Sequence, residues 1–176
     1  MATAEFNTDL KYANTRRLRL DKYFYPQMSL EGRFVPLDRS PGSIYIQREV
    51  HVDCVVASHA GGSVTVEEKI VRWKGYHYTA ITIETHSNLS RRADDEIGDG
   101  WIATSKADFL LYAFEQPDKS LKVWVFDLPK LRDWFTPRVN KYRITDTDNG
   151  FYTTRCRIVP LVDIPEHIIR VRAKAA

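Results

Sequence analysis

The sequence predicts one α/β or α+β domain with a central mixed β-sheet, and three features point there. Runs of alternating or continuous apolar residues recur from about residue 43 to residue 160, with the period of two that marks half-buried strands. Two stretches have helical character, one near the N-terminus and "LPKLRDWF" at 128–135. No repeat, low-complexity tract or linker divides the 176 residues, a length suited to a single core.

Composition narrows the class. Four Trp, nine Tyr and eight Phe can fill a core, which excludes a disordered tail. The formal charge of +3 is mild, so any case for nucleic acid rests on where the charges sit. Cys54 and Cys156 lie far apart and form no metal-like cluster. Cys54, inside an apolar strand, reads as a small buried hydrophobe, and a reducing compartment without a disulfide is expected. No charged-then-apolar leader appears, and no run approaches the roughly 20 apolar residues that span a bilayer. A soluble, cytoplasmic protein with no membrane association is expected.

The elements follow in chain order. "NTDLKYANTRRLRLDKYF" is polar and then helix-compatible, with Thr8 or Asn7 as its cap. Pro26, Gly32, Pro36, Pro41 and Gly42 break the next stretch into loops with a short strand at most. "SIYIQREVHVDCVVAS" reads as a strand, or two joined at a bulge, and "HAGG" as a turn into the return arm "SVTVEEKIVRW". "YTAITIETH" is a third β-rich run. "SNLSRRADDEIGDG" is an exposed loop or short helix, whose Asp94, Asp95 and Glu96 are solvated acids. "WIATSKADFLLYAF" and "SLKVWVFDL" flank the turn "EQPDK" as two strands, or as a helix and a strand. In "LPKLRDWF", Pro129 fits a first helical turn, and Leu128, Leu131 and Phe135 share one face. Asp148-Asn149-Gly150 joins two β-prone runs as a hairpin, and the tail ends basic.

The stretch "HVDCVVASHAGGSVTVEEKIVRW", residues 51–73, carries the chemistry. Aligning the apolar faces brings Val52, Cys54 and Val56 against Val64, Val66 and Ile70. Asp53, Glu67 and Lys69 then share the other face. A three-residue turn at Ala60-Gly61-Gly62 places Asp53 opposite Lys69, with Glu67 one step along. Two carboxylates and an ammonium in this arrangement suit Mg²⁺ or Mn²⁺ with open positions for water and a phosphate oxygen. Lys69 would orient or deprotonate the water, or stabilise developing negative charge. The plain alternative is a solvated strand face with an ordinary cross-strand ion pair worth less than about 1 kcal/mol.

Asp53, a hairpin turn, and then Glu67-Glu68-Lys69 preceded by "VTV" resemble the D…(D/E)xK signature of the PD-(D/E)xK nuclease superfamily, whose core is a mixed sheet flanked by helices. The resemblance implies a restriction-endonuclease-like core over about 44–135. It makes Asp53 and Glu67 metal ligands and Lys69 the catalytic lysine. Glu68 takes the variable middle position, whose backbone carbonyl often faces the metal. "GWIATSKADFLLYAF" followed by "VWVFDLPKLRDWF" is similar to the later core of such nucleases. Val52 stands where the family's name has proline, and no clear glutamine-bearing helix follows the triplet. Glu31 is a candidate for the family's upstream acid by distance alone. The resemblance implies a Mg²⁺- or Mn²⁺-dependent nuclease, more often acting on DNA than RNA, and at this size similar to phage or mobile-element enzymes. An enzyme that cuts both strands would often be a homodimer. The alternative on the same fold is a non-catalytic nucleic-acid- or protein-binding module.

Further polar residues extend the candidate list. Gln47, Glu49 and His51 continue the Asp53 side of the strand, and Glu84 would add a carboxylate if its strand neighbours Lys69. Arg16, Arg17 and Arg19, the pair Arg91 and Arg92, and Arg138, Lys141, Arg143, Arg155, Arg157, Arg170, Arg172 and Lys174 are candidate phosphate contacts. Trp134, Tyr142, Phe151 and Tyr152 lie among them as candidate stacking platforms.

Overall fold

The alternating runs pair into two sheets in the computed structural model, which describes residues 12, 15–28, 30–34 (backbone), 52–58, 60–75, 78–89, 97–148 and 152–175. The strands are β1 (Leu30–Phe34), β2 (Cys54–Ser58), β3 (Ser63–Val71), β4 (Ala80–His86), β5 (Phe109–Glu115), β6 (Leu121–Asp127), β7 (Arg143–Asp148), β8 (Thr153–Pro160) and β9 (Ile169–Ala175). Six of them form a mixed sheet in the order β1-β2-β3-β5-β6-β9, and three form a second sheet, β4-β8-β7. The first three strands are an antiparallel meander, and β5 then lies parallel to β3. A parallel neighbour requires a crossover of a dozen residues or more. Residues 72–108 provide it, and their described part contains β4 and the helical turn α1 (Trp101–Thr104).

One face of the six-stranded sheet is covered by a helical segment, 15–28, which passes through a π turn (Leu20–Phe24) into a 3-10 turn (Tyr25–Met28). Leu20, Phe24 and Tyr25 bury against Cys54, Val56, Val66, Leu111, Ala113, Val123 and Val125. The other face buries Leu110, Tyr112, Phe114 and Phe126 against Ile81 and Ile83 of β4 and against the helix α2 (Leu128–Phe135). Full burial of such a side chain contributes about 1.5–3 kcal/mol. Leu128, Leu131 and Phe135 are all buried, as their spacing predicts, and Asp127 caps α2 by accepting the Lys130 N–H at 3.2 Å.

The α+β class stands, and four details differ from expectation. Helical elements lie on both faces of the main sheet, but α2 shares its face with the three-stranded sheet. The sheet also runs beyond residue 135, since the basic tail forms β9 and pairs with β6. The register of the hairpin is shifted by two residues. Cys54 pairs with Val66 and Ala57 with Ser63, which brings Asp53 level with Glu67 rather than Lys69. The turn is centred one residue early, closed by Ser58 N–H to Gly62 O at 3.2 Å, and Gly61 and Gly62 both hold positive φ. Finally, the chain bends at Asp53, and Val52 joins the cluster on the opposite face from Cys54.

Both cysteines are free thiols. No helix among the described residues is long and apolar enough to cross a membrane. Glu49, Gln47, His51, Arg91, Arg92, Phe151, the acids at 94–96, the cap candidates Asn7 and Thr8, and the side chain of Glu31 lie outside the described residues.

Gly100 fixes the crossover. A Cβ there would stand 2.3 Å from the Glu84 carbonyl oxygen and 2.5 Å from the Thr85 carbonyl carbon. The Gly98 and Gly100 N–H groups both donate to Thr85 O, at 2.9 and 3.0 Å. Backbone faces backbone, so neither side can yield cheaply. Gly100→Ala is expected to cost about 3 kcal/mol or more, read as a lower urea midpoint. An unchanged midpoint would show that the 97–104 segment does not pack on β4 as described.

Candidate functional site

Glu67 and Lys69 stand two apart on β3 and so project from the same face. Lys69 Nζ lies 2.5 Å from Glu67 Oε1. Glu67 is only 5 % exposed. Lys69 is in register with Tyr112 of β5, and its ammonium sits 5.8 Å from the centre of the Trp101 ring. Burial pushes the Glu67 carboxyl up to about 7; Lys69 opposes the shift, while Asp53 and Glu84 add to it. Burial works against the Lys69 ammonium too, but Glu67 first and then Asp53 and Glu84 outweigh it, so Lys69 holds its proton more tightly than an ordinary lysine.

Asp53 approaches this pair from the bend before β2. Its Oδ2 accepts the Glu68 N–H at 2.8 Å, and its Oδ1 lies 3.1 Å from a guanidinium nitrogen of Arg17. The same guanidinium donates through Nε to Glu68 Oε2 at 2.7 Å, and Tyr25 Oη donates to Glu68 Oε1 at 2.6 Å. The Glu68 side chain therefore points toward the helical segment, away from Glu67 and Lys69. Its side chain belongs to a buried anchor, so a part for Glu68 at a metal would fall to its backbone carbonyl, as the resemblance implies. Arg17 and Tyr25 were not expected at the site. They are eight residues apart, close to two helical turns, which is the signal that would have put them on one side of the segment.

The second sheet closes the site from the other side. Tyr112 Oη accepts the Thr82 N–H at 3.2 Å and shares a hydrogen bond with Thr82 Oγ1 at 2.8 Å, pinning the free edge of β4 against β5. Glu84, two residues on, accepts from Ser87 Oγ at 2.5 Å. It is close enough to raise the proton affinity of both Glu67 and Lys69. Cys156 pairs with Glu84 across β4 and β8. Burial first and then Glu84 push its thiol up to about 12, so it is a poor nucleophile at neutral pH.

Among the described residues, no group of three or more His, Cys, Asp or Glu side chains stands close enough to hold a metal ion. Two carboxylates, Asp53 and Glu67, are close enough for Asp53 to raise the proton affinity of Glu67, although Asp53 is itself tied to Arg17 beside Glu68. That donor set does not suit a closed all-protein cage. It does suit Mg²⁺ or Mn²⁺, which bind through one or two carboxylates and complete their shell with water and substrate oxygens.

The expected phosphate contacts divide sharply. Arg16 is paired with Glu115, Arg17 with Asp53 and Glu68, and Arg19 with the Lys119 carbonyl, so these three tie down the helical segment. Arg157 is buried and donates to the Tyr142 carbonyl. Arg138 caps the Trp134 carbonyl at 2.7 Å, and Lys141 sits 3.5 Å from Asp163. Arg155 and Arg170 pair with Asp146 and Asp127. Arg143 is exposed at the start of β7. Trp134 packs on Tyr142, which is buried, and Tyr152 is exposed. Comparison with protein-family models, curated proteins and solved structures finds no match to this chain.

The Glu67 shift carries a pH prediction. A carboxyl whose folded pKa is raised favours folding below its ordinary value, and that contribution is lost as pH rises through the folded value. Between about pH 4.5 and about pH 7 the wild type should lose stability that Glu67→Gln retains. Urea midpoints measured across that range for both proteins check it, and parallel pH profiles would contradict it.

Proposed function

We propose that the chain is a metal-dependent phosphodiester hydrolase, a nuclease with a restriction-endonuclease-like core, acting more readily on DNA than on RNA. The observation that carries this reading is the Glu67–Lys69 pair on β3, with Asp53 at the bend just before the adjacent antiparallel strand, its N–H donating to Val66 O. The D…(D/E)xK resemblance implies that placement, and the parallel partner of β3 further on agrees with a mixed-sheet core.

Asp53 and Glu67 would hold Mg²⁺ or Mn²⁺. When bound, the ion lowers the pKa of its water and offsets charge on the phosphodiester. Lys69 keeps its proton, which fits a donor that orients the attacking water and stabilises negative charge on phosphate oxygens, rather than a base. Arg17 and the Glu68 N–H fix the Asp53 carboxylate, leaving it further lone pairs for a cation. The Trp101 ring and the Thr82–Tyr112 contact wall the site on the side of the second sheet.

One observation favours a second reading. Each carboxylate of the cluster already has a partner: Arg17 for Asp53 and Glu68, and Lys69 for Glu67. A non-catalytic nucleic-acid- or protein-binding module would need nothing more. Mn²⁺ titration followed by electron paramagnetic resonance separates the two. The nuclease reading expects saturable Mn²⁺ binding that Asp53→Asn and Glu67→Gln each weaken at least tenfold. Absence of Mn²⁺ binding, with nucleic acid still retarded in a gel, would favour the module.

A further inference from the structure

A second cluster lies on the same face of the six-stranded sheet as Glu67 and Lys69, two strands away. Reading across the ladder, Lys69, Tyr112, Trp124 and Arg172 form one row, and Val71, Phe114, Lys122 and Lys174 form the next. Paired residues share a face, so the β6 and β9 ends of these rows gather Lys122, Arg172 and Lys174 around Trp124. They line an open cavity of about 660 Å³ together with the β5–β6 turn, whose Asp118 is its one acidic group.

The charges there are weakly committed. Lys174 lies 2.8 Å from Asp118 and Arg172 lies 2.5 Å from Glu166, but all four side chains are about half exposed or more. Pairs of that kind are worth less than about 1 kcal/mol. The Lys122 ammonium sits 5.6 Å from the centre of the Trp124 ring, and no carboxylate pairs with it among the described residues. The Arg172 guanidinium is 4.6 Å from the centre of the same ring. Trp124 is only 9 % exposed, stacks on Phe126, and keeps its indole N–H buried without an acceptor. A buried donor left unpaired costs about 1–3 kcal/mol. The N–H lies in the plane of the ring, so a ligand oxygen that reached that edge, beside the Arg172 side chain over its face, would offer the donor an acceptor.

We propose that this cavity binds a phosphate group. Three cations against two carboxylates, Asp118 and the Glu166 that pairs with Arg172, leave the cluster net positive, which favours a phosphate ester; the Arg172 fork can take two of its oxygens, and Lys122 and Lys174 supply point charges. The phosphate would come from a free nucleotide or from a polynucleotide chain. The cavity binds it whether or not the Asp53–Glu67–Lys69 cluster hydrolyses anything.

The test is an amide and indole ¹H–¹⁵N spectrum of the full chain in EDTA, with the Trp124 indole signal assigned by Trp124→Phe. Adenosine monophosphate and a short single-stranded oligonucleotide are titrated separately, each against potassium chloride at equal ionic strength. The Trp124 indole signal should move saturably with at least one phosphate ligand. The triple variant Lys122→Ala/Arg172→Ala/Lys174→Ala, whose side chains are exposed enough to leave folding intact, should weaken that binding at least tenfold. Oligonucleotide much tighter than the monophosphate identifies a polynucleotide contact; equal affinity identifies a pocket for free phosphate esters. A shift reproduced by potassium chloride, or unchanged affinity in a triple variant that melts like wild type, overturns the proposal.

Discussion

Arg17→Met is expected to lower stability by about 3–5 kcal/mol, the range for removing one partner of a buried ion pair. Arg17 joins the helical segment to two strands, reaching Glu68 on β3 and Asp53 before β2. The Glu68 side chain has no exposed surface and the Arg17 side chain is 12 % exposed, so water cannot replace the lost guanidinium. The cost is that of a buried carboxylate deprived of its guanidinium, with the Tyr25 hydroxyl still donating to it, rather than the lost attraction. Adding Glu68→Gln should therefore return much of the stability, because a neutral amide can still accept from Tyr25. Urea unfolding of wild type, both single variants and the double variant gives the coupling directly. A cost for Arg17→Met below about 1 kcal/mol, or a double variant no better than Arg17→Met, would show that the segment is not anchored through this pair.

Lys69→Met should lower phosphodiester cleavage about 10²–10⁴-fold, the scale of one positioned proton-transfer or charge-stabilising group. The substitution keeps an unbranched apolar stem one atom shorter and removes the ammonium, with its contacts to Glu67 and the Trp101 ring. Without the ammonium, Glu67 lies buried with Asp53 and Glu84 as its charged neighbours, so its proton affinity rises further. The variant should therefore stay folded at pH 6, where Glu67 can be neutral, and lose more stability than wild type toward pH 8.5. Equal pH profiles for the two proteins would mean that Glu67 and Lys69 do not titrate as a pair.

Much of the β-structure was legible because its periodicity is local. β3, β4 and β6 coincide with the runs read from the sequence, β5 takes only the second half of "WIATSKADFLLYAF" while α1 takes its start, and α2 declares itself through Pro129 and the Leu128–Leu131–Phe135 spacing. The hairpin was legible as a hairpin, but its register was not. Gly61 and Gly62 both tolerate positive φ, so turn chemistry could not choose between a turn centred on Ala60 and one centred on Gly61, and that one-residue difference moved Asp53 from Lys69 to Glu67. The pairing of β9 with β6 spans more than forty residues of chain and leaves no local mark. Arg16 and Arg17 looked like phosphate contacts because a sequence lists cations without showing which acids are buried. Glu115 and Glu68 are buried, and each claims one of these arginines.

The central claim is that Asp53, Glu67 and Lys69 act together on a phosphodiester. Cleavage of a panel of plasmid, linear, single-stranded and branched DNA, with RNA alongside, tests it most directly. Wild type, Asp53→Ala and Lys69→Ala are compared in Mn²⁺, Mg²⁺ and EDTA. Cutting by wild type that needs the metal and is lost in both variants is the predicted result. Wild type that cuts nothing in any metal, or variants that cut as fast as wild type, would contradict it.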